Sequence, residues 1–119
     1  MTVFRFVREP LTDPWNFTPQ AKKNPKRRFR DDPSRCGAYA LSVFRSKDEA
    51  ARFYRNQVEK HGTKMHTALG THLARVDVNP ADGCLSSVRG DGHRDLYEST
   101  GVVFAGAIVA RLAEEAEAA

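Results

Sequence analysis

Cysteine is scarce in this sequence. Cys36 and Cys84 are the only two, too few for a disulfide scaffold and too far apart for a zinc knuckle, so both are read as reduced thiols. Long apolar runs are missing as well. Nothing approaches the roughly 20 residues of a membrane helix, and Met1 to Arg5 lacks the apolar stretch of a secretion signal. The expectation is a cytoplasmic protein with no membrane partner. There is no Gly-x-Ser-x-Gly elbow and no glycine fingerprint leading from strand to helix, which leaves a serine hydrolase or a phosphate-cradling loop unsupported. No internal repeat or long low-complexity segment is visible.

What is present suits a folded chain. Hydrophobic residues make up 40% and charged residues 29% of 119 positions, a balance that fits neither a disordered tail nor a membrane protein. The length suits one domain, residues 1–119, with a single core. Net charge is only +4, but it is unevenly spread. Between Gln20 and Arg35 seven cations (Lys22, Lys23, Lys26, Arg27, Arg28, Arg30, Arg35) meet two anions (Asp31, Asp32), leaving +5 there and −1 elsewhere. A partner drawn by charge meets this stretch first, and the phosphates of a nucleic acid or the carboxylates of an acidic protein fit it.

Val3 to Arg8 alternates between apolar and basic side chains, as a strand with one wet face does. From Glu9 to Arg35 lies a basic arm in which Pro10, Pro14, Pro19, Pro25 and Pro33 each remove a backbone donor. An arm of that length is usually functional or disordered, and Trp15, Phe17 and Phe29 argue against full disorder. Ala38 to Phe44 is nearly continuous apolar sequence and reads as a central strand buried on both faces. Ser46 and Glu49 have capping-box spacing, so a helix starts there; Ala50, Tyr54 and Val58, with Ala51 and Phe53, form its apolar stripe, and Gly62 suits its end. Thr63 to Gly70 reads as a connection. Thr71 to Val78 alternates as a third strand, and Asn79 and Pro80 end it. Residues 81–100, with Gly83, Gly90 and Gly92, read as a glycine-rich loop. Val102, Val103, Phe104, Ile108 and Val109 favour a last strand followed by a short frayed helix, although the alanines and Glu114, Glu115 and Glu117 suit a helix over Ala105 to Ala119 equally. The expected fold is α+β: a mixed or antiparallel sheet of about four strands, one main helix and the basic proline-rich arm.

Four features bear on chemistry. Lys22, Lys23, Lys26, Arg27, Arg28 and Arg30, interleaved with aromatic rings, suit phosphate neutralisation with stacking on exposed bases. Asp91, His93, Arg94 and Asp95 sit among glycines that permit close backbone approach, beside a histidine that titrates near neutrality, so this loop suits an anion or a proton transfer. The alternate acids match no metal-ligand spacing, and no metal is expected. Ser42 interrupts the apolar strand, its hydroxyl bonded to backbone or facing a pocket. Cys36, before a glycine at a strand start, is a candidate thiol nucleophile.

The order of Arg5 on an early strand, Tyr39 and Ser42 on a strand leading into a capped helix, and a later Glu98 resembles that of ADP-ribosyltransferase-like domains. That likeness implies NAD as co-substrate, with Arg5 holding its pyrophosphate, Ser42 supporting the nicotinamide end and Glu98 stabilising the ribosyl cation. It covers residue order only. The leading expectation is a small binding module that contacts nucleic acid or another polyanion through the basic arm, with no cofactor. The alternatives are the NAD-dependent enzyme and a regulatory protein–protein interaction domain.

Overall fold

The computed structural model describes residues 1–19, 40–99 and 103–113. Among these described residues nine elements follow one another: β1 (Thr2–Val7), a 3-10 helix (Pro14–Phe17), β2 (Leu41–Phe44), α1 (Lys47–His61), α2 (Met65–Leu69), β3 (His72–Asp77), β4 (Gly83–Leu85), β5 (His93–Glu98) and β6 (Ala105–Arg111). The six strands form one sheet in the order β4-β5-β2-β1-β3-β6, and every neighbouring pair is antiparallel. The α+β class stands, but the expected four strands are six. The two additional strands, β4 and β5, come from residues 81–100, which sequence reads as loop. They pair with each other from Gly83↔Glu98 to Leu85↔Leu96, and β5 continues onto β2 from Leu41↔Leu96 to Phe44↔His93.

Both faces of the sheet are apolar. Val3, Val7, Leu41, Val43, Ala74, Val76 and Leu96 cluster on one, where Leu11 and Phe17 from the segment after β1 pack, together with Phe104. Phe6, Phe44, Leu73 and Leu112 line the other, under Ala50 and Tyr54 of α1. The helix forms as its sequence demands: the Ser46 hydroxyl accepts from the Glu49 amide at 3.2 Å and donates to the Glu49 carboxylate at 2.8 Å, so Ser46 caps the helix start. Tyr54, fully buried, donates its hydroxyl to the Gly70 carbonyl at 2.7 Å and so ties α1 to the end of α2. That short helix occupies the segment expected to be a plain connection.

The expected wet face of the first strand is absent. Arg5 lies between Val3 and Val7 and is only 8% exposed, because the segment after β1 folds back over it. The arm is thus partly an element: Asp13 caps the 3-10 helix through the Trp15 amide at 2.9 Å. Lys22, Lys23, Lys26, Arg27, Arg28, Arg30 and Arg35 lie outside the described residues, as does Cys36. The C-terminal segment is a strand to Arg111, with Leu112 and Ala113 buried after it. No helix among the described residues is long and apolar enough to cross a membrane.

Candidate functional site

Between β1 and β2 the sheet is split. β1 pairs with β3 over its whole length, from Thr2↔Asp77 to Val7↔His72, but meets β2 at the single register pair Phe4↔Phe44. Arg5 enters this gap. Its Nε donates to the Asn16 carbonyl at 2.6 Å and its Nη1 to the Ser42 carbonyl at 2.8 Å, so the side chain bridges the two diverging strands where a backbone ladder would otherwise run. A guanidinium has five N–H donors. These two bonds leave others available, and among the described residues Arg5 forms no ion pair. Burial is the larger influence on this cation and lowers its pKa to about 10, while the carboxylate of Glu98 acts in the opposite sense.

The guanidinium stands in the wall of a pocket of about 100 Å³, lined also by Phe6, Trp15, Thr18, Ser42 and Leu69. This is room for several waters or for one phosphate or carboxylate group. The Arg8 guanidinium lies over the Trp15 ring, 4.6 Å from its centroid, and pairs with Asp13 at 3.1 Å. Trp15 is therefore fixed on its outer side by a cation–π contact.

Asn16 holds this corner together, and nothing in its sequence setting marks it. It is fully buried. Its amide nitrogen donates to the carbonyls of Arg8, Pro10 and Leu11 at 2.8, 3.1 and 3.1 Å, its amide oxygen accepts from the Arg8 N–H at 2.8 Å, and its backbone carbonyl receives Arg5. One asparagine in a proline-rich stretch carries no periodic signal, so only the tertiary fold reveals it.

Of the four residues in the ADP-ribosyltransferase-like order, Tyr39 lies outside the described residues, and the other three distribute as follows. Arg5 and Glu98 share a sheet face: Arg5 alternates with Val3 and Val7, and Glu98 stands two residues from Leu96, all members of one core cluster. Ser42 alternates with Leu41 and Val43 of that same cluster, so its side chain projects from the opposite face, where it is exposed. The two-sided burial expected for this strand fails there. Ser42 meets Arg5 through its backbone carbonyl.

The loop residues separate too. His93 and Asp95 lie on β5, on the face of Ser42 and Phe44, which are their partners in the register. Asp95 is buried and accepts from Arg89 Nη2 at 2.7 Å, while its amide donates to the Ser86 hydroxyl at 2.8 Å. Arg89 Nη1 also lies against His93 Nδ1. A guanidinium donor there favours a neutral imidazole that accepts at Nδ1; Nε2 lies 3.9 Å from Asp95 Oδ1. Burial, and then Arg89, lower the His93 pKa from its ordinary 6.5; Asp95 and Asp91 oppose them. Asp91 accepts from the His93 amide at 3.0 Å and closes the turn. Arg94 faces the other way, donating to the Ser86 carbonyl at 2.8 Å. The His93 ring is thus committed to ordering the β4–β5 hairpin. No group of three potential metal ligands occurs among the described residues. Cys84, on β4, is a free and exposed thiol.

No protein-family model matches the chain, and neither curated proteins nor solved structures provide a match.

Proposed function

We propose that the protein binds a phosphate-bearing ligand at Arg5 and acts on NAD as an ADP-ribosyltransferase-like enzyme. The observation that carries this reading is Arg5 itself. A guanidinium that is buried, charged, without an ion-pair partner among the described residues and with donors to spare is costly to fold around. An anionic group entering the adjoining pocket removes that cost, since a planar fork of N–H donors matches phosphate geometry. The pocket's small size assigns it one phosphate of a dinucleotide, whose remainder then lies along the open surface. Glu98, on the same sheet face, is the carboxylate available to stabilise positive charge as the nicotinamide–ribose bond breaks. Ser42 contributes a carbonyl that orients Arg5, a positioning role in place of the hydroxyl contact that residue order implies.

The test compares NAD consumption and NAD binding in the wild-type chain and in Glu98→Ala. A carboxylate that acts mainly in the transition state gives loss of turnover with binding retained. Equal loss of both assigns Glu98 a structural role, and no turnover in the wild type contradicts the enzyme.

A second reading rests on the +5 stretch between Gln20 and Arg35: binding of nucleic acid or an acidic protein. Affinity for a nucleic acid then falls steeply with salt, and removing charge at Lys26, Arg27, Arg28 and Arg30 weakens it without unfolding the chain. Pull-down with and without nuclease separates the nucleic-acid partner from the protein one.

A further inference from the structure

Where β1 ends beside the start of β3, three side chains outside the Arg5 pocket stand in line. The Thr71 hydroxyl is 2.7 Å from His72 Nδ1, and His72 Nε2 is 2.6 Å from a Glu9 carboxylate oxygen. A carboxylate only accepts hydrogen bonds, so in the neutral imidazole the proton sits on Nε2 and Nδ1 is left to accept from the hydroxyl. Hydroxyl, base and orienting carboxylate in that order, at these lengths, are the signature of an activated nucleophile. The fold fixes the arrangement. β1 and β3 pair at Val7↔His72, which brings Glu9, two residues on, beside the imidazole. The His72 side chain is 11% exposed and that of Glu9 66%, so the ring is held in place while its outer partner meets water. Thr71 is half-buried. Its carbonyl accepts from the Ala113 amide at 3.2 Å, and its own amide donates to no group among the described residues. Arg111, the register partner of His72 on β6, is exposed and adds a cation beside the imidazole.

We infer that Thr71 is the nucleophile of an acyl-transfer centre whose substrates are activated esters or thioesters of small acyl groups. Thr71 Oγ1 bonds to the acyl carbon as its proton passes to His72 Nδ1. The bond from that carbon to the leaving oxygen or sulfur breaks, and the leaving group takes the proton from Nδ1. Water then attacks the acyl-threonine and gives a proton to Nδ1, which returns it to Thr71 Oγ1 as the carboxylic acid departs. The Thr71 amide and the Arg111 guanidinium are the donors at hand for the negative oxygen of each tetrahedral intermediate. Glu9 touches no reacting atom; it is a positioning residue that fixes the tautomer and the ring. An acyl carbonyl is the electrophile this set suits, since it asks for one proton to be moved and one oxygen to be stabilised. The hydroxyl lies among the exposed side chains of Arg8, Glu9 and Arg111, a polar setting that favours a short acyl group over a long apolar one.

The probe is p-nitrophenyl acetate, given to the full chain in a Cys36→Ser, Cys84→Ser background so that neither thiol competes. The expected result is p-nitrophenolate release together with one acetyl group on the peptide that contains Thr71, read by mass spectrometry after acid quenching. Thr71→Val, of nearly the same shape, loses that acetyl group and the release that accompanies it, whereas Thr71→Ser keeps both. Glu9→Gln lowers the rate by at least about tenfold, and the imidazole 15N spectrum of His72 shows the proton shifting from Nε2 towards Nδ1. No acetyl group on Thr71, release unchanged in Thr71→Val, or a rate and a tautomer both indifferent to Glu9→Gln overturns the inference. Glu9 is exposed, so its variant keeps the fold and decides the matter even if a change at Thr71 disturbs the start of β3.

Discussion

Asn16 and His93 are the two side chains on which local order depends most, and they respond to different perturbations. Asn16→Ala leaves three carbonyls and one amide of the segment after β1 without their partner, and a buried polar group left unsatisfied costs about 1–3 kcal/mol. Some of the freed groups recover water as the segment loosens, so a net loss of about 3 kcal/mol is expected in urea unfolding. The same variant loosens Arg5 and weakens any ligand held there. His93 acts through pH. Its pKa is lowered in the folded state, so below the ordinary value of 6.5 the unfolded chain binds the proton more readily than the folded one. The resulting stabilisation is complete above 6.5 and is lost as pH falls through the folded value. His93→Gln does not titrate, and urea midpoints at pH 7.5, 6.5 and 5.5 are expected to fall less steeply for it than for the wild type. Identical slopes contradict the neutral, Arg89-bound imidazole. Asp13 and Glu49, whose pKa values are also lowered, add a separate loss at more acidic pH.

At the scale of elements, α1 is the one most fully specified locally. Ser46→Ala removes the hydroxyl that accepts from the Glu49 amide and is expected to cost about 1 kcal/mol by thermal or urea unfolding. Two glycines bound the turn-and-helix segment after it. Gly62 and Gly70 have φ of +82° and +104°, backbone that side chains rarely adopt, at about 1–3 kcal/mol for another residue. A Cβ at Gly62 meets nothing within 4 Å, whereas at Gly70 it falls 2.5 Å from the Val7 carbonyl oxygen. Gly70→Ala is therefore expected to destabilise more than Gly62→Ala; the reverse order contradicts the close approach of α2's end to β1. Elements of this kind were legible in the sequence: β1, α1 and β3 all show a matching period or a cap. β5 was not, because its sequence, His93 to Glu98, carries five charged or titratable side chains out of six. Their pairing with Arg89, Ser86 and the β2 register supplies what local propensity lacks. Ser42 misled for the opposite reason, since an apolar run reads as burial on two faces, and α1 packs beside this position without covering it.

At the scale of the whole molecule, the proposed function rests on the split between β1 and β2 and on the cation lodged in it. Residue order could place Arg5 early and Glu98 late, but only the sheet order brings β5 next to β2 and β2 next to β1, so that Glu98 acts electrostatically on Arg5. Reading Arg5 as a wet-face residue missed that the Asn16 and Ser42 carbonyls accept its hydrogen bonds from two sides. A purely structural Arg5 predicts that removing its charge damages the fold alone. An anion-anchoring Arg5 predicts that a change of donor geometry with charge retained damages binding more than folding, because lysine cannot supply the planar fork. The most direct measurement is calorimetric titration of ADP-ribose into the wild-type chain and into Arg5→Lys, with urea unfolding of both. Saturable binding by the wild type, weakened at least about tenfold in a variant that still folds, is the result expected; no binding by the wild type, or equal binding by both, contradicts the assignment of Arg5 as the phosphate anchor.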